Sequence, residues 1–195
     1  TETLSYFKKY NHKKYLASWI DTNATNKNLG RGIMYIGEHT KQKNKDFVKK
    51  TSLKIHFNFP NFFLNNFFLK LLSKIYFIKS LNYKEHVVDI KKYFYPLDNI
   101  ENWNMIYGNK GFVQIQILIS NQNLVKNLKK IILFFQKKNQ ISFVSTLKKM
   151  GAKNKNLLSF PENGYTITFD IKNNPNLKNF YDELEKILIK MNAKI

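Results

Sequence analysis

The 195-residue sequence predicts an α+β fold in which helices cover one face of a largely antiparallel sheet. Residues 113–119 and 165–171 alternate apolar and polar side chains, which is typical of strands with one packed face and one polar face. Residues 121–138 and 175–191 repeat apolar side chains every three or four positions, as amphipathic helices do. Two-faced strands favour an antiparallel sheet, because the strands of parallel sheets are usually apolar on both faces.

The first 50 residues are predicted to contain a helix, two strands and an exposed loop. Residues 1–10 carry apolar side chains at helical spacing and form the end of an amphipathic helix. Residues 14–20 and 33–36 have strand patterns, and a loop rich in Asn, Thr and Gly joins them. The Lys-rich segment 40–50 has no period, so we expect an exposed loop there.

An aromatic helix is predicted after Pro60, over residues 62–78. Its apolar side chains occupy several sides, although a surface helix normally has one apolar stripe. The helix must therefore be packed between other elements, face a partner or touch lipid. Asn and Lys residues interrupt the run, so it lacks the length and apolarity of a transmembrane helix.

The chain is organised around the stretch 92–120, KYFYPLDNIENWNMIYGNKGFVQIQILIS. An aromatic run ends at Pro96, turns are predicted at Gly108 and Gly111, and the strand 113–119 follows. The strand of this stretch carries Gln114 and Gln116 between apolar residues.

Two helices and two strands are predicted after this stretch. Asn121 is predicted to cap the first helix, and a strand is expected over residues 141–148. The next strand covers residues 165–171. Asn174 is predicted to cap the last helix, with Pro175 at its first helical position.

Polar side chains are predicted to line the face of the sheet that the two helices leave open. Gln114 and Gln116 alternate with apolar residues, and the neighbouring strands place Lys148, Thr166 and Thr168 on the same face. Paired amides donate and accept hydrogen bonds, which suits a ligand rich in hydroxyl groups. We predict that this polar face forms the floor of a substrate site; a merely solvated surface is the alternative interpretation.

The sequence carries 33 basic and 13 acidic residues, a formal net charge of +20. Such a charge is typical of proteins that bind nucleic acid or anionic membranes, so a basic nucleic-acid-binding domain is the alternative hypothesis. Nucleic-acid sites favour clustered arginine, whereas here lysines are spread along the chain and aromatic residues follow core-like periods. We therefore expect no nucleic-acid partner.

Cysteine is absent, and the four histidines are scattered. Disulfides and thiolate chemistry are excluded, and no metal site is predicted. Paired carboxylates for acid and base chemistry are not apparent either, since Asp98 and Asp170 are both predicted to be structural.

Two blocks of short motifs resemble one known family. The first block contains Tyr95-Pro96-Leu97-Asp98, Trp103-Asn104, Tyr107-Gly108, Gly111-Phe112 and Gln114-x-Gln116. The second contains Trp19-Ile20-Asp21, Leu29-Gly30-Arg31-Gly32 and Gly37-Glu38-His39. Their order is similar to that in the substrate domain of FAD-linked oxidases of the vanillyl-alcohol-oxidase type. The resemblance is greatest to the decaprenylphosphoryl-ribose oxidase branch, which is related to aldonolactone oxidases such as D-arabinono-1,4-lactone oxidase.

The resemblance implies that residues 1–195 are the substrate-binding, or cap, domain of a larger flavoprotein, with FAD bound mainly by a domain outside this chain. It implies an oxidoreductase acting on CH–OH groups, in which a sugar, sugar lactone or lipid-linked sugar gives a hydride to the flavin. A possible partner reductase, a possible peripheral membrane contact, and a location in the cytoplasm or peripheral to the inner membrane are further expectations. The chain alone is expected to be a catalytically incomplete fragment.

The resemblance also assigns substrate-binding residues, namely Gln114, Gln116, Lys148, Thr166, Thr168 and Trp19. Lys148 would hold a hydroxyl or phosphate oxygen, and Trp19 would form a wall of the pocket. Thr166 and Thr168 stand where the branch tends to have Asn and Cys, so the hydrogen-bond pattern there is expected to differ. No catalytic residue is expected within the chain, because the branch's lysine belongs to a Tyr-x-Ala-Lys-Asp run expected directly after Ile195.

Overall fold

A computed structural model describes residues 2–41, 53–60, 65–82 and 85–195. Its main feature is a five-stranded sheet in the order β2-β1-β6-β7-β5, in which every neighbouring pair is antiparallel. The strands are β1 (Tyr15–Ile20), β2 (Gly32–Gly37), β5 (Phe112–Ser120), β6 (Thr146–Met150) and β7 (Gly164–Lys172). Two short strands, β3 (Leu53–Lys54) and β4 (Ile100–Glu101), pair in parallel away from this sheet.

Five α-helices accompany the strands in the described ranges. They are α1 (Glu2–Lys9), α2 (Asn66–Ser80), α3 (Ile90–Phe94), α4 (Leu124–Lys137) and α5 (Leu177–Ile189). Together with the antiparallel sheet they confirm the predicted α+β class. No helix of the described residues has the length and apolarity needed to cross a bilayer.

The main core lies between one face of the sheet and helices α1, α4 and α5. Phe135 of α4 stacks on Phe169 of β7 with ring centroids 3.8 Å apart, and Phe180 of α5 meets Phe135 edge to face at 5.0 Å. Phe7 of α1 packs against Tyr165 at 5.4 Å. These aromatic contacts fix the apolar face of β7 beneath the helices and leave the opposite face of the sheet for the polar side chains.

The strand predicted over residues 141–148 begins only at Thr146, and this prediction was wrong in its first half. The backbone carbonyls of Ser142 and Phe143 accept hydrogen bonds from the Thr22 hydroxyl and the Trp19 indole, each at 2.8 Å. Because side chains from the end of β1 occupy these carbonyls, the segment before Thr146 satisfies its polar groups without joining the sheet.

Asn121 and Asn174 were predicted to cap α4 and α5, but each helix begins a few residues later. α4 begins at Leu124, because Asn123 has a left-handed backbone with φ of 54° and separates Asn121 from the helix. α5 begins at Leu177, since the Asn174 side chain accepts from the Asn176 amide at 3.0 Å and holds a turn ahead of the helix.

The aromatic helix is confirmed as α2, but it starts later than predicted. The Asn65 side chain accepts a hydrogen bond from the Phe68 amide at 2.9 Å, so this residue is the N-cap of α2. Residues 62–64 of the predicted helix lie outside the described residues, as do residues 42–50 of the predicted exposed loop.

The stretch that precedes β5 folds as short helical turns. α3 is followed by 3₁₀ turns over Pro96–Asn99 and Trp103–Tyr107, with β4 between them. Asn102, Gly108 and Gly111 have positive φ angles of 58°, 68° and 66°, and these residues tolerate that conformation better than most others. The turns bring the aromatic residues of this stretch against the polar side of the sheet.

Candidate functional site

The six predicted substrate-binding residues lie on one face of the five-stranded sheet. The register pairs Gln114 with Asp170, Gln116 with Thr168, Lys148 with Thr166 and Trp19 with Thr146. Residues paired across antiparallel strands project to the same side of the sheet. Along one strand, every second residue projects to that side. The polar face therefore runs from β5 across β7 and β6 to β1, opposite the helices of the core.

The open part of this face is formed by Gln114, Gln116 and Lys148, whose side chains are exposed. Gln116 and Lys148 have no hydrogen-bond or ion-pair partner among the described residues. Together they offer two amides and one ammonium on rigid strands, which gives both acceptors and donors to a ligand rich in oxygen.

Gln114 is held in one orientation by Asp170. Its Nε2 donates to Oδ1 of Asp170 at 2.7 Å, and an ionised carboxylate can only accept. The amide nitrogen is therefore turned toward β7, and Oε1 is left as the acceptor that Gln114 can offer a ligand.

Asp170 is 1% exposed, and its Oδ2 has no hydrogen-bond partner among the described residues. Burial raises the pKa of its carboxyl, and the hydrogen bond from Gln114 partly offsets this rise. Its backbone amide donates to the Ser142 hydroxyl at 2.9 Å. The prediction that Asp170 is structural overlooked this contact with Gln114, which the polar alternation of the two strands could have revealed.

A 3₁₀ turn covers the β5 end of the polar face. Tyr107 stacks on Phe112 with ring centroids 4.5 Å apart, and Phe112 lies on the same face as Gln114. Burial raises the pKa of the Tyr107 hydroxyl, and the charge of Asp170 raises it further. Tyr107 and Asp170 are thus neighbours at one edge of the open region.

The two threonines lie on the polar face but are not exposed. Thr166 is 1% exposed, so its hydroxyl does not lie at the surface of the described structure. Thr168 Oγ1 accepts from the Thr146 amide at 3.1 Å and lies 2.8 Å from the Thr146 hydroxyl. This pair joins β6 to β7 at the residue where β6 begins, and sequence reasoning did not single out Thr146.

Trp19 is buried beneath α2. Its indole Nε1 donates to the Phe143 carbonyl at 2.8 Å, and its ring meets Tyr76 edge to face at 4.9 Å. The hydroxyls of Tyr76 and Tyr35 are hydrogen-bonded to each other, which ties α2 to β2. Trp19 is therefore a fixed element at the β1 end of the polar face rather than an exposed surface.

Helix α3 covers the remaining corner of this face. Phe94 meets Tyr15 edge to face at 4.9 Å, and the Tyr93 hydroxyl donates to the Tyr15 carbonyl at 3.4 Å. A Cβ on Gly37 would lie 2.7 Å from the Tyr93 ring, so a larger residue there would have to displace that ring. Helices α2 and α3 and the turn at Tyr107 thus cover the margins of the polar face and leave its middle open.

Two small cavities, of about 100 and 260 Å³, lie away from the polar face. The loop after β1 and helix α2 form them, with Asn23, Thr25 and Lys70 lining both. Neither contains any of the six predicted residues. Among the described residues the candidate site is thus an open sheet surface.

Few side chains near the polar face of the described residues could act as a general acid or base, or bind a metal ion. No group of three or more His, Asp or Glu side chains gathers in the described part of the chain. Of the three exposed residues in the open region, Lys148 is the one with an ionisable side chain, and its ammonium can donate hydrogen bonds.

The last described residues run beside the edge strand β5. Lys194 pairs with Leu118 in antiparallel fashion, with backbone N–O distances of 2.8 and 3.0 Å in the two directions. Leu118 lies two residues from Gln116 on the same face. This pairing places the end of the described chain beside the strand that carries the two glutamines.

Comparison with known proteins agrees with the family that the motifs suggested. No family model matches the chain. The chain is 27% identical over 190 residues to the decaprenylphosphoryl-beta-D-ribose oxidase of Mycolicibacterium smegmatis, a match that covers 93% of this chain and 41% of the relative. The chain thus spans about two fifths of the length of that curated relative. This distant similarity supports the FAD-linked oxidase family.

Proposed function

We propose that this chain is the substrate-binding part of an FAD-dependent oxidoreductase, which oxidises a hydroxyl of a sugar, sugar lactone or lipid-linked sugar. The observation that carries the proposal is the open middle of the polar face, where Gln114, Gln116 and Lys148 stand together on neighbouring strands. The similarity to an oxidase of a lipid-linked ribose, over most of the chain, supports the chemical class.

Each residue of the open region has a separate task in this proposal. The Oε1 atom of Gln114 accepts a hydrogen bond from a substrate hydroxyl, because its Nε2 is held by Asp170. The amide of Gln116 both donates and accepts toward a neighbouring hydroxyl. The Lys148 ammonium donates to a hydroxyl oxygen, or to a phosphate oxygen where the substrate carries one.

In this proposal the polar face receives the substrate and one edge of a flavin ring, and the rest of the cofactor is bound elsewhere. Amide and ammonium donors suit the polar atoms of the ring system, whereas the pyrophosphate of a dinucleotide is commonly bound by a glycine-rich turn at a helix N-terminus. The proposal assigns that part of FAD to a separate domain. When bound, FAD supplies the hydride acceptor, and the residues of this chain bind and orient the sugar.

The proton of the reacting hydroxyl requires a base, and in this proposal Lys148 serves as a hydrogen-bond donor instead. The resemblance implies a lysine just after Ile195, and Lys194 pairs with Leu118, two residues from Gln116 on β5. We therefore assign proton removal to that lysine, with Gln114 and Gln116 holding the sugar in reach of it.

The experiment that tests this proposal uses the full-length protein that contains this chain. Its visible spectrum is recorded before and after anaerobic addition of sugar alcohols, sugar lactones and a polyprenylphosphoryl sugar. We expect a flavin band that bleaches with one of these classes, and no flavin band from the 195-residue chain alone. A folded, colourless full-length protein would overturn the proposal, as would turnover by the 195-residue chain alone.

A further inference from the structure

Helix α2 has one side that packs against the rest of the molecule. Leu69 and Ser73 are buried, and Tyr76 contacts Trp19. The Arg31 guanidinium lies over the Phe77 ring at 4.7 Å. These residues fix the rotation of the helix about its axis, because they recur every three or four positions on the inner side.

The opposite side of α2 is a stripe of exposed apolar residues. Phe67, Leu71, Ile75 and Ile78 are 71%, 42%, 41% and 51% exposed. At 100° per residue they fall within an arc of about 80°, and the stripe is about 16 Å long. Surface helices normally turn polar residues outward, so this outer stripe is the reverse of the usual arrangement. Within the described part of the chain, nothing packs on it.

Lysines flank the stripe on both sides. Lys70 and Lys74 lie along one border and Lys79 along the other, and all three are exposed. The sequence contains no Asp or Glu between Phe47 and Lys84. Apolar side chains in the middle with lysines at the borders are typical of helices that lie in the interface of an anionic bilayer. The lysine stems can extend along the apolar surface while the ammonium groups reach the lipid phosphates.

We propose that the outer face of α2 docks on an anionic lipid bilayer, with the helix axis parallel to the membrane plane. The charge pattern favours lipid over a protein partner, because lysine is depleted at the centres of protein interfaces, whereas each lysine near an anionic membrane adds to the attraction. This proposal does not rest on the oxidase assignment. Docking would place the edge of the polar sheet face next to the membrane, because α2 covers Trp19.

The test measures flotation of the full-length protein with two kinds of vesicle, one of phosphatidylcholine alone and one of phosphatidylcholine mixed with phosphatidylglycerol. We expect binding to the mixed vesicles that weakens as salt is added, and little binding to the neutral ones. The double variant Phe67→Ser/Ile78→Ser should bind the mixed vesicles at least about tenfold more weakly, because both side chains leave the hydrocarbon boundary.

Matched control variants distinguish binding through α2 from nonspecific hydrophobic binding and from nonspecific electrostatic binding to the vesicles. Leu157 and Leu158 are fully exposed on another loop, so Leu157→Ser/Leu158→Ser should leave vesicle binding unchanged. Lys70→Gln/Lys74→Gln should weaken binding and flatten its salt dependence, whereas Lys153→Gln/Lys155→Gln should do so much less. Equal losses in target and control variants would overturn the proposal, as would flotation with neither kind of vesicle.

The same preparations distinguish this proposal from that of function. The flavin spectrum is recorded for each variant, and it should not change with Phe67→Ser/Ile78→Ser. If the full-length protein is a dimer that this double variant dissociates, the face is a protein interface and the membrane proposal is wrong. A colourless protein that still binds mixed vesicles through α2 would refute the proposed function alone.

Discussion

The amide nitrogen of Gln114 lies 2.7 Å from a carboxylate oxygen of Asp170, directly across the pairing of β5 with β7. Gln114 is exposed, whereas Asp170 is 1% exposed. A buried acid thus positions a surface amide, and the second carboxylate oxygen has no partner among the described residues. The contact links the stability of the sheet to the geometry of the candidate site.

The first prediction concerns the pH dependence of stability at Asp170. Burial raises its pKa in the folded protein above the value of an unfolded chain, although the Gln114 hydrogen bond partly offsets the rise. The protonated form is then favoured by folding, so its contribution to stability is full below the unfolded pKa and is lost as pH rises through the folded pKa. Asp170→Asn removes this loss, because an amide does not ionise.

We therefore expect the free energy of unfolding of Asp170→Asn, relative to wild type, to increase as pH rises from acid to neutral. Urea unfolding at several pH values measures it. Asp182→Asn, on the exposed side of α5, is the control and should show no such trend. A constant difference between Asp170→Asn and wild type at all pH values would contradict the prediction.

The second prediction concerns Gln116 in the proposed reaction. Gln116→Ala removes a donor and an acceptor from the open face without leaving a buried group unpaired, so folding should be unaffected. In the full-length protein we expect kcat/KM for the sugar substrate to fall about tenfold, which corresponds to about 1.4 kcal/mol. The measurement is the rate of anaerobic flavin reduction against substrate concentration.

Gln122→Ala provides the matched control, since Gln122 is exposed just after β5 and lies off the polar face. Its kcat/KM should equal that of wild type. If Gln116→Ala also has wild-type kcat/KM, the polar face does not bind the substrate.

The third prediction concerns the core beneath the sheet. Phe135 stacks on Phe169 at 3.8 Å and is 1% exposed, so Phe135→Ala leaves a cavity that the rigid sheet cannot fill. We expect a loss of about 3–5 kcal/mol in the free energy of unfolding. Leu133→Ala, on the exposed side of the same helix, should change it by less than about 0.5 kcal/mol. Similar losses in both variants would show that α4 does not pack on the sheet as described.

The two long strands and their faces could be predicted because their alternation is local. Residues 113–119 and 165–171 show a period of two within the sequence itself, which fixes the face on which each side chain lies. The register that pairs Gln116 with Thr168 comes from the structure. The same alternation, together with that of residues 141–148, places Gln114, Lys148 and Thr166 on one face. The sequence could therefore predict the composition of the candidate site.

What covers that face depends on contacts between distant parts of the chain. Trp19 is buried by Tyr76, 57 positions later, and β6 starts late because Thr22 bonds to Ser142, 120 positions away. No local period encodes such contacts. The burial of Trp19 and Thr166 could therefore not be predicted from sequence, because the covering elements could not be placed.

The last prediction concerns Arg31 and Asp21 at the end of β1. Two nitrogens of Arg31 lie 2.7 and 2.8 Å from Oδ2 of Asp21, and Asp21 is 1% exposed. The other carboxylate oxygen accepts from the Asn23 amide at 3.0 Å. Arg31→Met keeps the packing on Phe77 but leaves a buried carboxylate without its cation, so we expect a loss of about 3–5 kcal/mol in the free energy of unfolding.

Two further variants decide whether the lost charge or the lost side-chain contacts cause the destabilisation of Arg31→Met. Asp21→Asn/Arg31→Met removes both charges and should recover much of the stability that Arg31→Met loses, because no ion then remains buried. Lys13→Met breaks the exposed pair between Lys13 and Glu38 and should have little effect, since water screens that pair. Thermal or urea unfolding of the three variants measures their free energies of unfolding. If the double variant is no more stable than Arg31→Met, the loss comes from the missing guanidinium contacts, and the buried ion pair does not stabilise this end of the sheet.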